Sequence, residues 1–177
     1  LVGSSLMAEA DLDLACRTLT LGHNKVCGMT RSEDIATAAN AGAVYAGLIF
    51  NPKSPRSVTT AQAIPLVEQH RKTGPSIKFV GVFVNEAPEV IAKIATTLDL
   101  FAVQLHGSES EHDIEQVRSA LTTLASQALI WKAIAVNADK EQEDVSVPAN
   151  ADRIIFDSKS AQSGILQFGG TGLIFNW

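Results

Sequence analysis

The feature that most constrains this chain is a regular alternation of two kinds of segment. Apolar runs of strand length occupy Lys25–Cys27, Ala43–Phe50, Phe79–Val84, Phe101–Leu105, Leu129–Val136 and Arg153–Phe156. Several are nearly unbroken in Val, Ile, Phe and Leu, as strands covered on both faces are. Between them apolar residues recur at helical spacing: Ile91, Ile94, Ala95 and Leu98 on one face, and Ile114, Val117 and Leu121 on another. Strands alternating with helices make a parallel sheet with the helices outside it. A (β/α) barrel and an open doubly wound sheet both meet that description. No G-x-G-x-x-G follows the first strand, which weakens the dinucleotide-binding form of the second.

The helix starts carry local signals. Thr30-x-x-Glu33 and Ser108-x-x-Glu111 both fit the capping box, in which a hydroxyl and a carboxylate each satisfy an unpaired backbone N–H. Asn85 is placed to cap a helix with Pro88 in its first turn. Gly42 suits the left-handed position that ends the first of these helices. Pro65 lies inside TTAQAIPLVEQHRK, so that helix is expected to begin near Ile64 or to kink there.

Bulk properties exclude several classes. The 177 residues suffice for one domain with a sizeable core, and 46% apolar with 19% charged is too apolar for disorder. The net charge of −5, with no Lys/Arg cluster interleaved with aromatics, argues against nucleic acid as a partner. No apolar run approaches the roughly 20 residues that span a bilayer, and the start has no basic n-region of a signal peptide. Two cysteines, Cys16 and Cys27, make no disulfide framework and match no common zinc spacing. A reducing cytoplasm is the expected setting.

If the sheet is a barrel, its chemistry lies at the C-terminal strand ends. Cys27 ends the first strand, Arg56 follows the second in NPKSPRS, His106 follows the fourth in VQLHG, and Asp157 follows the sixth run in IIFDS. Polar strand ends occur in any parallel sheet, and a free cysteine is most often a small buried hydrophobe. The set nevertheless has a chemical sense. A thiolate acts as a base or nucleophile, and a helix opening near Thr30 would favour its charge. A carboxyl such as Asp157 can donate a proton, and an arginine fork fits a carboxylate or phosphate. Acid, base and anion clamp together suit isomerisation by proton transfer on a carboxylated or phosphorylated substrate. Cys16 falls among Leu12, Ala15 and Leu19 and reads as packing.

The segments KVCGMTRSEDIATAANAGAVYAGLIFNPKSPRSV, VGVFVNE, AVQLHG, IWKAIAV, FDS and GGTGLIFNW together resemble the phosphoribosylanthranilate isomerases of tryptophan biosynthesis. Residues 1–22, with LVGSSLM, resemble the end of an indole-3-glycerol-phosphate synthase barrel and a linker, where Gly3 and Ser4 would help bind phosphate. The resemblance therefore implies two parts, 1–22 from a preceding barrel and 23–177 from the isomerase, as in the fused bifunctional enzyme. It implies a (β/α)8 TIM-type barrel of which about six of the eight βα units are present. It implies an Amadori rearrangement with no cofactor and no metal. Cys27 would be the general base at the sugar C2, Asp157 the general acid at the ring oxygen, and Arg56 the anchor of the anthranilate carboxylate. His106 would lie in the substrate pocket.

A barrel short of two units would leave sheet edges open to self-association or to pairing with another chain. It would also lack the family's phosphate-binding strands, so the 177 residues alone are expected to be inactive and to need the missing segment. Another phosphosugar barrel would use metal ligands or a Glu/His pair. A non-catalytic interaction fragment would pair through its open edge. The Gly- and Ser-rich loop 159–172 reads as a lid over the site.

Overall fold

The computed structural model describes residues 3–137, 146–160 and 167–168. Six strands run parallel: β1 (Lys25–Cys27), β2 (Tyr45–Ile49), β3 (Lys78–Phe83), β4 (Ala102–Leu105), β5 (Leu129–Asn137) and β6 (Arg153–Ser160). Each pairs with the next in chain order. A doubly wound sheet reverses its strand order at the switch point where ligands bind. No reversal occurs among the described strands, so the architecture is of the barrel class, curled into a half-barrel of six parallel strands. A two-residue strand, β7 (Gln167–Phe168), adds antiparallel to β6 and has no counterpart among the expected strands.

Among the described residues six helices accompany the strands: α1 (Gly3–Met7), α2 (Leu12–Leu21), α3 (Ser32–Asn40), α4 (Thr60–Thr73), α5 (Pro88–Leu98) and α6 (Glu111–Thr123). None among the described residues is long and apolar enough to cross a membrane. Strand register divides the core in two. Ala46, Leu48, Phe79, Val103, Leu105 and Ile130 face outward and meet Ile35, Val67, Ile91, Ile94, Ile114 and Val117 of the helices. Tyr45, Val80, Ala102 and Trp131 face inward and form a second cluster. The inner face is closed below by aromatic contact: Tyr45 meets Trp131 edge-on at 5.0 Å between centroids, and the Arg153 guanidinium lies 4.7 Å over the Trp131 ring. The N-terminal helix α2 is tied to this frame by Arg17, which donates to the Ala39 and Ala43 carbonyls.

The helix starts differ from expectation in four places. α3 begins after Arg31 rather than Thr30, with no side-chain cap; Arg31 instead forks onto Asp34, at 2.9 and 2.8 Å. α6 is capped by Ser110 and Asp113, not Ser108 and Glu111. The hydroxyl and N–H of Ser110 hold the Asp113 carboxyl below its usual range. That contribution is present at neutral pH and is lost as acid protonates the carboxylate. α5 begins after Ala87 without a side-chain cap, because Asn85 takes a left-handed φ of 49° and its Oδ1 accepts from the Ser108 N–H. Gly42, at φ 100°, ends α3 as its type predicts. α4 begins at Thr60, ahead of Pro65, because Thr59 and Gln62 form a full capping box that secures the first turn despite the missing proline N–H.

One polar contact sits inside the frame. Lys132 of β5 and Glu109 meet at 2.7 Å, with side chains 7% and 6% exposed. Glu109 also accepts from the backbone N–H groups of Asn85 and Gly107, and Lys132 donates to the Gly107 carbonyl. The pair thus joins β5 to the loops after β3 and β4. Removing one buried partner strands the other charge, so Lys132→Met is expected to lower stability by about 3–5 kcal/mol. Denaturant unfolding checks it; a loss below about 1 kcal/mol, as for an exposed pair, would contradict it.

Candidate active site

Period-two alternation sends Lys25 and Cys27 of β1 to the same face. Their partners in register are Tyr45 and Gly47. The Lys25 Nζ donates to the Cys27 Sγ at 3.2 Å, and Cys27 is partly buried. Gly47 makes this possible. A Cβ there would stand 2.7 Å from the thiol sulfur and 3.1 Å from the Lys25 Nζ. The cation beside the thiol is therefore Lys25. The helix start expected near Thr30 is displaced to Ser32, and its first turn carries Glu33 and Asp34.

After Cys27 the chain turns at Gly28, whose φ is 71°. The N–H groups of Gly28 and Met29 both donate to the Gly47 carbonyl, at 2.8 and 2.9 Å. Arg56 crosses above this turn. Its Nη1 donates to the Cys27 carbonyl at 2.8 Å, and a Cβ on Gly28 would meet the guanidinium at the same distance. A residue with a side chain would be strained at this φ and would dislodge the arginine.

On the other side of the half-barrel, Gln104 and His106 share the inner face of β4 and its extension. The Gln104 Nε2 lies 3.0 Å from the His106 Nδ1. The His106 Nε2 lies 3.0 Å from the Asp157 Oδ2, with the two side chains 21% and 25% exposed. Asp157 sits in the middle of β6, opposite Ala135 of β5, since β6 runs four residues beyond its expected end.

Cys27, Arg56, His106 and Asp157 all line one cavity of about 560 Å³. Lys25 and Gln104 line it as well, and sequence reasoning passed over both. Their signal was present: each stands two residues before a chosen residue on the same strand. Gly47 gave no such signal, because its meaning depends on register with β1. Among the described residues no group of three or more His, Cys, Asp or Glu is placed to hold a metal. The segments 161–166 and 169–177, with GGTGLIFNW and most of the expected lid, lie outside the described residues.

The arrangement can do proton-transfer chemistry. A thiol beside an ammonium faces a cavity that also holds a histidine–carboxylate pair and an arginine fork. The fold and the site together define a barrel of the (β/α) class with acid–base groups at its mouth. The sequence profile of N-(5'-phosphoribosyl)anthranilate (PRA) isomerase matches residues 24–177, and the chain belongs to that family. It is 46% identical over its whole length to the tryptophan biosynthesis protein TrpCF of Haemophilus influenzae, of which it spans 35%. The phosphoribosyl anthranilate isomerase of Thermotoga maritima matches 80% of this chain and 64% of its own, with 32% identity and a TM-score of 0.59. A phosphoribosyl anthranilate isomerase solved with reduced 1-(o-carboxyphenylamino)-1-deoxyribulose 5-phosphate matches 77% of this chain and 64% of its own, with 32% identity and a TM-score of 0.57. The chain thus spans about a third of its TrpCF relatives.

The Gly47 contact gives a direct test. Gly47→Ala is expected to push the Cys27 sulfur away from Lys25 and slow its alkylation by iodoacetamide at least about tenfold. Iodoacetamide reacts with the thiolate, so the rate reads the surroundings of the sulfur. The rate is measured in a Cys16→Ser background. An unchanged rate would show that the ammonium does not govern the thiol.

Proposed function

We propose that the chain carries the acid–base machinery of an isomerase that converts N-(5-phosphoribosyl)anthranilate into 1-(2-carboxyphenylamino)-1-deoxyribulose 5-phosphate, in tryptophan biosynthesis. The observation that carries the reading is the convergence of Cys27, Arg56 and Asp157 on one cavity in a chain of this family. The related isomerase solved with the reduced carboxyphenylamino-deoxyribulose phosphate supports the substrate class.

In this reading Asp157 gives a proton to the furanose ring oxygen. The C1–O bond breaks with its electron pair on oxygen, and the anilino nitrogen closes a C=N⁺ bond to C1. The Cys27 thiolate then removes the C2 proton, and the C–H electrons form the C1=C2 enol-amine, which tautomerises to the ketone. The Lys25 ammonium, 3.2 Å from the sulfur, is placed to hydrogen-bond to it. Arg56 takes the anthranilate carboxylate with the part of its fork not given to the Cys27 carbonyl. His106 belongs to the pocket wall. Residues 1–22 are read as the tail of a preceding barrel and a linker, and the setting as cytoplasmic, in keeping with two unpaired thiols.

A second reading, edge-to-edge pairing between copies, is favoured by β1. Among the described residues this strand pairs only with β2, and its Val26 is 41% exposed. The isomerase assay separates the two readings. It is run on the chain alone and on the chain completed with the last two strand–helix units of a family barrel. The completed chain is expected to turn over, and Cys27→Ala and Asp157→Asn each to slow it by about 10²–10⁴, the worth of a general acid or base. Turnover that survives Cys27→Ala would refute the thiol's role. No turnover in any form, with sedimentation that depends on concentration, would leave edge pairing as the better account.

A further inference from the structure

We propose that Gln104 is a positioning residue that holds His106 as the Nε2–H tautomer, so that the imidazole is a fixed hydrogen-bond donor to Asp157. The inference rests on the reading of Asp157 as proton donor. It supplies the role that His106 otherwise lacks.

Gln104 is 3% exposed, and its side chain points to the inner face two residues before His106. Its amide nitrogen lies 3.0 Å from the His106 Nδ1. With the amide in this orientation its nitrogen donates and Nδ1 presents its lone pair, while the amide oxygen is buried with no hydrogen-bond partner among the described residues. The single proton of the neutral ring then sits on Nε2, which is 3.0 Å from the Asp157 Oδ2. The histidine is thereby fixed in place at both nitrogens, as a ring that orients a neighbouring group usually is.

The tautomer matters because the charge on Asp157 changes during the reaction. As the carboxyl gives its proton to the sugar oxygen, a carboxylate forms against the Nε2–H. A hydrogen bond to an ionised acceptor is about twice as strong as one between neutral groups. The contact therefore tightens as charge develops, and stabilises the transition state more than the ground state. The opposite tautomer would turn a lone pair toward the new carboxylate. Gln104 touches no reacting atom in this scheme; it acts through His106.

The test is a ¹⁵N NMR spectrum of the imidazole nitrogens in this chain, with His106 assigned by the resonances lost in His106→Asn. The expected result is one neutral tautomer with Nε2 protonated and Nδ1 bare. Gln104→Glu puts an acceptor against Nδ1 and is expected to place a proton on that nitrogen. Gln104→Met, close in shape and without a donor, is expected to release the ring into a mixture of both tautomers. A wild-type ring protonated on Nδ1, or a ring unmoved by these substitutions, would overturn the proposal. The wild-type spectrum decides the tautomer even if a variant fails to fold. Turnover that survived Asp157→Asn in the completed chain would overturn the acid assignment without moving the nitrogen resonances, so the two failures are distinct.

Discussion

In-register parallel pairing of β1 through β6 is the constraint on which the site depends. Side chains alternate along a strand, so a slip of one residue would turn the whole inner row outward. With Cys27 opposite Gly47, and Ala135 opposite Asp157, the thiol and the carboxyl both face the enclosed side. The outer row is held by the helices: Ala46, Leu48, Val103 and Ile130 are fully buried against them. Hydrophobic burial of one row therefore fixes where the polar row points. The sheet gives position, and the helices give the energy that keeps it.

The loops that complete the mouth are secured differently, by polar groups. Glu109 and Lys132 join the ends of β3, β4 and β5 through one buried carboxylate that accepts from two backbone amides. Such a pair adds little net stability over well-packed apolar residues, because both charges must leave water. Its directional hydrogen bonds hold a loop in a way that apolar contact does not. The loop it holds is the one that begins at His106. The second loop, with Arg56, is tied to the first strand by the guanidinium on the Cys27 carbonyl. Small residues then set the clearances, Gly28 beneath the arginine and Gly47 beside the thiol.

The strands were legible because apolar runs covered on both faces leave a plain pattern, and their bounds hold within two residues except at the end of β6. The helix starts were less legible. Ser108 and Ser110 each stand three residues before an acidic side chain, and nothing local chooses between the two frames. The choice is tertiary: Asn85 engages Ser108, and Lys132 engages Glu109. Asn85 was misread for the same reason, since its partner is a loop 23 residues away. The site shows the same divide. Cys27, Arg56, His106 and Asp157 stand out at or just past the ends of the apolar runs, and Lys25 and Gln104 follow from period two once the strands are drawn. Gly47 follows only from register, which one strand's sequence does not carry.

The proposed reaction requires acid, base and anion clamp to face a single substrate from different strands and loops around one cavity. A crystal structure of the chain with the non-reactive product analogue bound tests it most directly. The account places the aromatic carboxylate on Arg56, the sugar chain between the Cys27 sulfur and Asp157, and His106 still bonded to Asp157. A ligand seated away from Cys27, or with both groups on the same side of its sugar chain, would contradict it.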